Sequence, residues 1–314
     1  MRQTCLNMVF ELAKADPRVF YIGSDLGIGT LDDFKAEIPD RFFMEGISEA
    51  NIIGMAAGLA MEGKIPYVNT IATFITRRCY EQVALDLCLH NVPVRLIGNG
   101  GGLVYAPLGP THEAIEDMAI FRAIPNMTIV APADADEMRR LMPQTLDYPG
   151  PIYIRLGKGY DPIVTNDEVP FVIGKVLPMR EGADALILTT GITLKVGLDA
   201  AQKLSESGIE ASVIHVPTVK PLDTEHILSA CSQVPVVVTV EEHTVIGGLG
   251  SAVAELVAEA NFEPSKRFKR IGLPDAFPDK YGSQDSLMAH YSVTSEALSE
   301  TVSGLVQQRP PVFS

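Results

Sequence analysis

The chain has 314 residues, of which 46% are hydrophobic, and its 25 basic and 39 acidic side chains give a net charge of −14. This apolar content is enough for large cores and excludes intrinsic disorder, and the length predicts two domains of ordinary size. The acidic balance, with no broad basic stripe, excludes nucleic acid as the main partner.

Four cysteines are scattered through the chain with no Cys-x-x-Cys pair, at Cys5, Cys79, Cys88 and Cys231. That pattern favours reduced thiols over a disulfide framework or a zinc site. The N-terminal segment is a charged amphipathic pattern that lacks the apolar core of a signal peptide. No apolar run approaches the ~20 residues that a membrane span needs. We therefore expect a cytoplasmic protein with no membrane segment.

In the first half of the chain, short apolar runs of strand type alternate with helical patterns. Strands are predicted at 18–25, 65–70, 92–99, 127–132 and 151–157, and helices at 3–14, 49–62, 76–90, 113–122 and 134–146. Short Val- and Ile-rich strands separated by helices predict a parallel sheet covered on both faces.

The alternation lapses between about 157 and 183, where Gly, Pro and Asp interrupt any clean periodicity. It then resumes, with strands predicted at 185–191, 210–216, 234–242 and 268–274 and helices near 193–207, 223–231 and 250–260. We therefore predict an α/β fold of two domains: a doubly wound parallel-sheet domain at 1–165, a linker at 166–183, and a smaller α/β domain at 184–314.

One acid stands out in the segment FMEGISEANIIGMAAGLA (43–60), where Glu49 is surrounded by Gly, Ala, Ile and Met. A carboxylate in such a place costs free energy unless it is paired, protonated or used. The simple interpretation is that Ser48 caps a helix and Glu49 complements its dipole. The alternative is that the small residues after Glu49 let another helix or a ligand approach, and that the acid meets a partner there.

The segment NGGGLVYAPLGPTHEAIED (99–117) follows a predicted strand and precedes a helix, where open α/β sheets form binding crevices. Its three glycines lack the lysine of a P-loop, and they are also typical of plain loops. His112 is the better candidate, as a titratable side chain on a loop of functional type, although a lone histidine can also be an ordinary surface residue.

Two further segments carry basic residues, one beside an aromatic residue and the other at the end of a predicted strand. In TFITRRCYEQ (73–82), Phe74 could stack on a flat ring while Arg77 or Arg78 binds an anion, or the arginines could form a solvated turn. In IYIRLGKG (152–159), Arg155 and Lys158 could grip a phosphate or carboxylate, or merely flank a linker. The glycines of VIGGLGSAVAE (245–255) do not match a dinucleotide fingerprint and indicate close helix packing.

Taken together, these segments resemble the C-terminal half of transketolase and of its relative 1-deoxyxylulose-5-phosphate synthase. RFFMEGISEANIIGMAAGLA (41–60) looks like the segment with the family's cofactor-activating glutamate. GPTH (109–112) is similar to the substrate-loop motif, and KPLD (220–223) and EEHTVIGGLGSAVAE (241–255) are similar to the signature of the C-terminal domain. The match keeps the family's order over nearly the whole chain.

The family depends on thiamin diphosphate, so the resemblance implies cofactor-binding residues. Glu49 would contact N1′ of the aminopyrimidine ring and favour the imino tautomer at the 4′ position. Phe74 would stack on that ring, although the spacing from it to YEQ (80–82) is one residue longer than in the deoxyxylulose synthases. Asp25, in GSDLG (23–27), resembles an aspartate near the thiazolium ring.

The resemblance also implies substrate-binding residues. Arg77 and Arg155 would bind the substrate phosphate, and His112 would contact the reacting oxygens. The chain departs from the family just before GPTH, where an aspartate normally reads a substrate hydroxyl and this chain has Leu108. We therefore expect a donor other than the usual sugar phosphates, such as a branched, deoxy or otherwise modified ketose with an anionic tail.

The family's diphosphate-binding domain, with its Gly-Asp-Gly…Asn pattern, does not occur in this sequence. The resemblance therefore implies one subunit of a split transketolase, with the pyrimidine-binding domain at 1–165 and the transketolase C-terminal domain at 184–314. A partner chain would hold the diphosphate through Mg²⁺, and the two chains would form an α2β2 heterotetramer.

Three alternatives to ketol transfer stay open. Two lie within thiamin chemistry: a deoxyxylulose-synthase-like acyloin-forming enzyme, and the E1 β subunit of a 2-oxo acid dehydrogenase, against which GPTH and KPLD argue. The third is a non-catalytic partner subunit, against which the presence of Glu49 argues.

Overall fold

The computed structural model describes residues 1–24, 31–157, 159, 161–166, 168 and 170–307. The helices are α1 (Arg2–Ala15), α2 (Asp32–Glu37), α3 (Glu49–Met61), α4 (Ala72–Arg77), α5 (Tyr80–Gln82), α6 (Asp117–Arg122), α7 (Ala135–Thr145), α8 (Thr193–Glu206), α9 (Thr224–Gln233), α10 (Leu249–Glu259), α11 (Gln284–His290) and α12 (Ser295–Gln307). The strands are β1 (Val19–Gly23), β2 (Phe42–Met44), β3 (Ile65–Ile71), β4 (Arg95–Asn99), β5 (Thr128–Val130), β6 (Ile152–Leu156), β7 (Leu177–Arg180), β8 (Ala185–Thr189), β9 (Ala211–His215), β10 (Thr218–Lys220), β11 (Val236–Thr244) and β12 (Arg267–Leu273).

The first sheet has seven strands in the order β10-β5-β6-β4-β3-β1-β2, and all neighbours are parallel except β10 and β5. It is doubly wound, with a hydrophobic core on each face, and successive residues of a strand pack into opposite cores. On β3, Val68 packs into the core that contains Ile53 of α3, whereas Tyr67 packs into the core that contains Leu6 of α1. This is the alternation expected of a sheet buried on both faces.

The second sheet has five strands in the order β12-β11-β8-β9-β7, and only β7 runs antiparallel to its neighbour. The predicted fold class, a doubly wound domain followed by a smaller α/β domain, is confirmed. The two parts exchange one element, because β10 belongs in sequence to the second part and pairs antiparallel with β5 of the first sheet.

The predicted helix at 76–90 is broken into three pieces in the structure. It consists of α4, the short α5, and a π-helix from Val83 to Leu89. At the first break, the hydroxyl of Thr76 donates to the carbonyl of Ala72 at 2.7 Å and the thiol of Cys79 donates to the carbonyl of Ile75 at 3.1 Å. Such side-chain bonds to preceding carbonyls bend helices. Among the described residues, no helix is both long and apolar enough to cross a membrane.

Candidate active site

Glu49 begins α3 and is only 4% exposed. The capping role expected of Ser48 is wrong, because its hydroxyl makes no side-chain cap and instead donates to the carbonyl of Glu45 at 3.0 Å, whereas Glu49 does lie in the first turn of α3. The buried carboxylate therefore needs a counterpart of its own.

The glycines of α3 lie on a different side of the helix from its core face. Ile52, Ile53 and Ala56 are buried against the sheet, whereas Gly54 and Gly58 are exposed with open space around them. Within the described chain nothing packs against these glycines. They leave room for a close approach from outside.

Phe74, on α4, meets the His112 ring directly and is linked to Glu49 through Arg78. The guanidinium of Arg78 lies 3.6 Å from the centre of the Phe74 ring and donates from Nη1 to both oxygens of Glu49 at 3.2 Å. On the other side, the rings of Phe74 and His112 meet edge to face with centroids 5.2 Å apart. The structure thus brings together Glu49, Phe74 and His112 of the predicted site, and adds Arg78.

His112 is half-buried at the end of the GPTH loop. Its Nδ1 lies 2.9 Å from the hydroxyl of Thr111. Its ring also faces Tyr105, with centroids 6.5 Å apart. The bond at Nδ1 leaves Nε2 as the nitrogen that can exchange a proton with a ligand.

Arg77, predicted to bind an anion, is engaged by the chain itself. It donates to both carboxylate oxygens of Glu116, to the carbonyl of Glu113 at 3.1 Å and to the carbonyl of Pro110 at 3.3 Å. These contacts lie on both sides of His112 in the sequence. They tie α4 to the His112 loop, and they give no support to a direct contact between Arg77 and substrate.

Arg155 is likewise engaged by the chain itself. It is 6% exposed and belongs to a buried hydrogen-bond network between the first domain and β11 of the second. Its Nε donates to Asp117 at 2.8 Å, and its Nη2 donates to the carbonyl of Glu242 at 2.9 Å. The hydroxyl of Tyr153 donates to the same Asp117 oxygen at 2.7 Å. Burial alone would raise the pKa of Asp117, but Arg155 and its neighbours hold that pKa below its usual range. These partners hold the guanidinium of Arg155 in the interior, so its predicted role as a phosphate ligand finds no support here.

Glu113, which the sequence did not single out, is fully buried directly after His112. Neither of its carboxylate oxygens has a hydrogen-bond partner among the described residues. Burial raises the pKa of Glu113 to about 7, and the guanidinium of Arg77 offsets only part of that rise. A buried acid in this position was not predictable, because no residue type in the motif signals its burial.

A cleft of about 290 Å³ flanks the His112 loop at the carboxyl ends of β4 and β6. It is lined by Arg2, Gly100, Val104, Tyr105, Pro107, Leu108 and Gly157. Leu108 is 51% exposed there, so an apolar side chain forms the wall where the family's aspartate was expected. Gly100 has φ +72°, and a side chain at that position would run into the Tyr105 ring.

Arg2 is the cation among the described residues that line this cleft, and the sequence did not single it out. It is exposed at the start of α1 and has no ion pair among the described residues. Two predicted candidates, Asp25 and Lys158, lie outside the described residues. The sequence carried no signal for Arg2, because the fold alone brings it to a loop about a hundred positions away.

The glycines of the second part serve close packing, as the sequence indicated. Glu241 accepts hydrogen bonds from the backbone N–H groups of Leu249 and Gly250, each at 2.8 Å, at the start of α10. A side chain at Gly248 would overlap the Glu241 carboxylate. An internal acid therefore occupies the position that a phosphate takes at a dinucleotide-binding helix.

The corner formed by Glu49, Phe74 and His112 fits the aminopyrimidine ring of thiamin diphosphate. Glu49 offers a buried carboxylate to a ring nitrogen, and Phe74 offers a flat aromatic face beside it. His112 lies at the edge of the Phe74 ring, where a substrate contact is expected. The chemistry of the set therefore matches the cofactor that the resemblance implied.

Comparison with family models gives two matches that cover most of the chain. The pyrimidine-binding domain of transketolase matches residues 1–160, and the C-terminal domain of transketolase matches residues 174–298. Transketolases are thiamin-diphosphate-dependent transferases, and the order of the two domains is the one that the sequence predicted.

Curated relatives match over nearly the full chain. A transketolase family protein of Sinorhizobium fredii is 40% identical over 90% of this chain and 82% of its own length. A 6-deoxy-6-sulfo-D-fructose transketolase subunit of a Clostridium species is 37% identical, with 94% of each chain covered. An apulose-4-phosphate transketolase subunit of Phocaeicola vulgatus is 36% identical over 98% of this chain and 97% of its own length.

A 1-deoxy-D-xylulose-5-phosphate synthase of Symbiobacterium thermophilum is 39% identical, but the chain spans only 46% of its length. Among solved structures, a split-gene transketolase described as an inactive β4 tetramer superposes with a TM-score of 0.88 and 33% identity. The match covers 98% of each chain. Two domain models in order, relatives of equal length and a superposable structure lead to one assignment: the chain belongs to the transketolase family, whose pyrimidine-binding and C-terminal domains it carries.

Proposed function

We propose that the chain is one subunit of a split transketolase that transfers a two-carbon ketol unit from an anionic ketose to an aldose. The observation that carries this proposal is the buried Glu49 beside Phe74, within a transketolase pyrimidine-binding domain. Relatives of equal length that are themselves transketolase subunits support the split arrangement.

Each residue of the corner has a part in this proposal. When bound, thiamin diphosphate would supply a nucleophilic ring carbon and an electron sink for the ketol unit. Glu49 would hold a proton shared with N1′ of the aminopyrimidine, in a site too dry for water to compete. Phe74 would fix the plane of that ring. His112, whose Nδ1 is held by Thr111, would exchange a proton at a substrate oxygen through Nε2.

Arg77 and Arg155 support this site indirectly. Arg77 fixes the two sides of the His112 loop through the carbonyls of Pro110 and Glu113. Arg155 links β6 to β11 through the carbonyl of Glu242. We propose positioning roles for both, and we assign the anion contact to Arg2 in the cleft with Leu108.

The chemistry of this cleft favours a modified, anionic donor. Leu108 cannot accept a hydrogen bond from a substrate hydroxyl, whereas Arg2 can bind a phosphate or sulfonate. Two relatives are named for a deoxysulfo sugar and for a sugar phosphate outside the usual transketolase donors. Their substrates agree with the kind of donor proposed for this chain.

The remaining parts of the proposal concern assembly. A partner chain would hold the diphosphate through Mg²⁺, with the cofactor between unlike chains in an α2β2 heterotetramer. Closed two-fold symmetry is the usual arrangement for such complexes. We expect this complex to work in the cytoplasm, as the scattered thiols and the charged N-terminal segment suggested.

The Glu49→Gln variant tests the proposed function. Gln has nearly the same shape but cannot share a proton with N1′ in the same way, so we expect turnover of the reconstituted complex to fall by ~10²–10⁴-fold. The fold should survive, which circular dichroism would check. Wild-type turnover in this variant would refute the role of Glu49. Release of CO2 from a 2-oxo acid by the wild type, without ketol transfer, would favour the acyloin-forming or dehydrogenase alternatives.

A further inference from the structure

Arg78 makes the two contacts that an aminopyrimidine ring would make in this corner. Its planar guanidinium lies 3.6 Å from the centre of the Phe74 ring. The same group donates to both oxygens of Glu49 at 3.2 Å. A flat group stacked on Phe74 and hydrogen-bonded to Glu49 is what the proposed cofactor site is built to accept.

We propose that Arg78 occupies the aminopyrimidine position in the cofactor-free chain and must move away before thiamin diphosphate binds. This inference rests on the proposed function and adds a residue that sets cofactor affinity. Glu49 is buried, and a buried carboxylate left alone carries a large desolvation cost. Arg78 compensates that charge while the site is free, and the cofactor has to replace it.

The position of Arg78 allows it to move. Its side chain is 45% exposed, and it lies at the end of α4, just before the break that precedes the π-helix from Val83 to Leu89. The neighbouring Arg77 is fixed by contacts to the loop, whereas the guanidinium of Arg78 contacts Glu49 and Phe74. π-Helical turns occur frequently at functional sites. Rotation of one half-exposed side chain would open the site without moving the backbone.

Competition between Arg78 and the cofactor should lower the apparent affinity for thiamin diphosphate by a limited factor. The ion pair joins a half-exposed guanidinium to the buried Glu49, and the cofactor must displace both this pair and the cation–π contact before it stacks. When a binding-competent state is only partly populated, the apparent affinity falls by that fraction. We therefore expect removal of the guanidinium to strengthen cofactor binding by about 3- to 30-fold.

The test is calorimetric titration of thiamin diphosphate and Mg²⁺ into the complex with the partner chain. Arg78→Ala should bind the cofactor about 3- to 30-fold more tightly than the wild type, with a faster association rate in stopped-flow mixing. Arg78→Lys keeps the charge beside Glu49 but loses the flat stack, so its affinity should lie between the two. Arg139→Ala, which removes an exposed charge from α7, is the matched control and should bind like the wild type.

The binding results separate the role of Arg78 from the proposed function. Equal or weaker binding by Arg78→Ala, with normal binding by the wild type, would overturn the role of Arg78 and leave the proposed function standing. Failure of every form to bind the cofactor would refute the proposed function, and this inference would fall with it. Arg78→Ala leaves Glu49 buried without its counter-charge, so we expect this variant to melt below the wild type, and Arg78→Lys, which keeps the charge, is the second variant for the binding comparison.

Discussion

Leu108 forms an apolar wall in the cleft beside His112, at 51% exposure, in the place where the resemblance to transketolases predicts an aspartate that reads a substrate hydroxyl. A hydroxyl left unpaired against it costs roughly 1–3 kcal/mol, which is about 5- to 150-fold in specificity. Wild type should therefore prefer modified ketoses with an anionic tail, and Leu108→Asp should gain activity on xylulose 5-phosphate. A donor panel of kcat/KM values for the two complexes measures this.

The matching control is Leu108→Met, which keeps an apolar wall of similar size. It should keep the donor preference of the wild type. A wild type that prefers xylulose 5-phosphate, together with no gain for that donor in Leu108→Asp, would contradict the role of Leu108.

Glu113 is the buried acid whose titration should affect stability. Its pKa is about 7 in the folded chain against an ordinary value of 4.5, so the folded state keeps a proton that the unfolded state releases. The contribution of protonated Glu113 to the free energy of unfolding is therefore present in full below about pH 4.5. It is lost as the pH rises through about 7. Glu113→Gln should not lose this contribution at high pH, because glutamine does not titrate. It should melt at a higher temperature than the wild type at pH 8, and the difference should shrink at pH 5.

Differential scanning calorimetry across that pH range checks the prediction. Glu242, whose pKa burial also raises to about 7, is the same in both proteins, so the difference isolates Glu113. The exposed substitution Glu62→Gln is the control. A melting difference that does not change with pH would show that Glu113 is not protonated in the fold.

At the residue scale, the site residues that could be predicted are those that stand out within a short motif. Glu49 could be predicted because an acid among small apolar residues is unusual, and His112 because it ends a loop at a sheet edge. Arg78 was noted only as part of a basic pair, because its contact with Glu49 depends on how α3 and α4 pack. The resemblance implied that Arg77 and Arg155 bind substrate. Their contacts with Glu116 and Asp117 could not be predicted, because sequence position does not show which carboxylates lie nearby.

At the scale of elements, the buried network of Arg155 and Asp117 should stabilise the junction between β6, α6 and β11. Removing one partner of a buried ion pair typically costs about 3–5 kcal/mol, because the other charge stays buried and unpaired. Arg155→Met should therefore lower the urea midpoint strongly. The double variant Arg155→Met/Asp117→Leu should recover part of that loss, since an apolar pair leaves no isolated charge.

This pair of variants separates the two roles considered for Arg155. If the guanidinium binds substrate instead, Arg155→Met would raise KM for the donor and leave the midpoint near that of the wild type. An unchanged midpoint would thus contradict the structural role.

Period and composition identified buried strands such as β3 and amphipathic helices such as α8. They did not identify the further elements α2, β2, β7, β10, α11 and α12, and β7 lies within the predicted linker although it pairs with β9 in the second sheet. The pairing of β10 with β5 was not predictable, because a three-residue strand carries no period and its partner lies far away in sequence. The break between α4 and α5 was also missed. It depends on side-chain bonds from Thr76 and Cys79 to carbonyls, which a helical pattern does not reveal.

At the scale of the whole molecule, we propose that another subunit packs against α3 and its surroundings. Gly54 and Gly58 of α3 are exposed with nothing within 4 Å of where their side chains would begin. Ile47 is 71% exposed at the entrance to α3, and Leu89 is 71% exposed at the end of the π-helix. Exposed apolar groups beside small residues are typical of a surface that another chain covers.

The final prediction is that this chain alone binds thiamin diphosphate poorly and has no transketolase activity, and that its partner converts it to a heterotetramer. The solved split-gene transketolase that superposes on this chain is described as an inactive β4 tetramer. Size-exclusion chromatography with light scattering should show a homo-oligomer of this chain alone. An α2β2 complex should appear on mixing, and calorimetry should then show cofactor binding.

The glycines of α3 allow a sharper version of this test. Gly58→Leu fills the open space on the exposed face and improves helix propensity, so the chain should fold at least as well but fail to form the complex. Gly304→Leu, at an equally open position on α12, is the control and should assemble normally. Assembly and cofactor binding by Gly58→Leu at wild-type levels would place the interface elsewhere. Tight Mg²⁺-dependent cofactor binding by the wild-type chain without any partner would refute the split-subunit arrangement itself, because the site would then be complete within one chain.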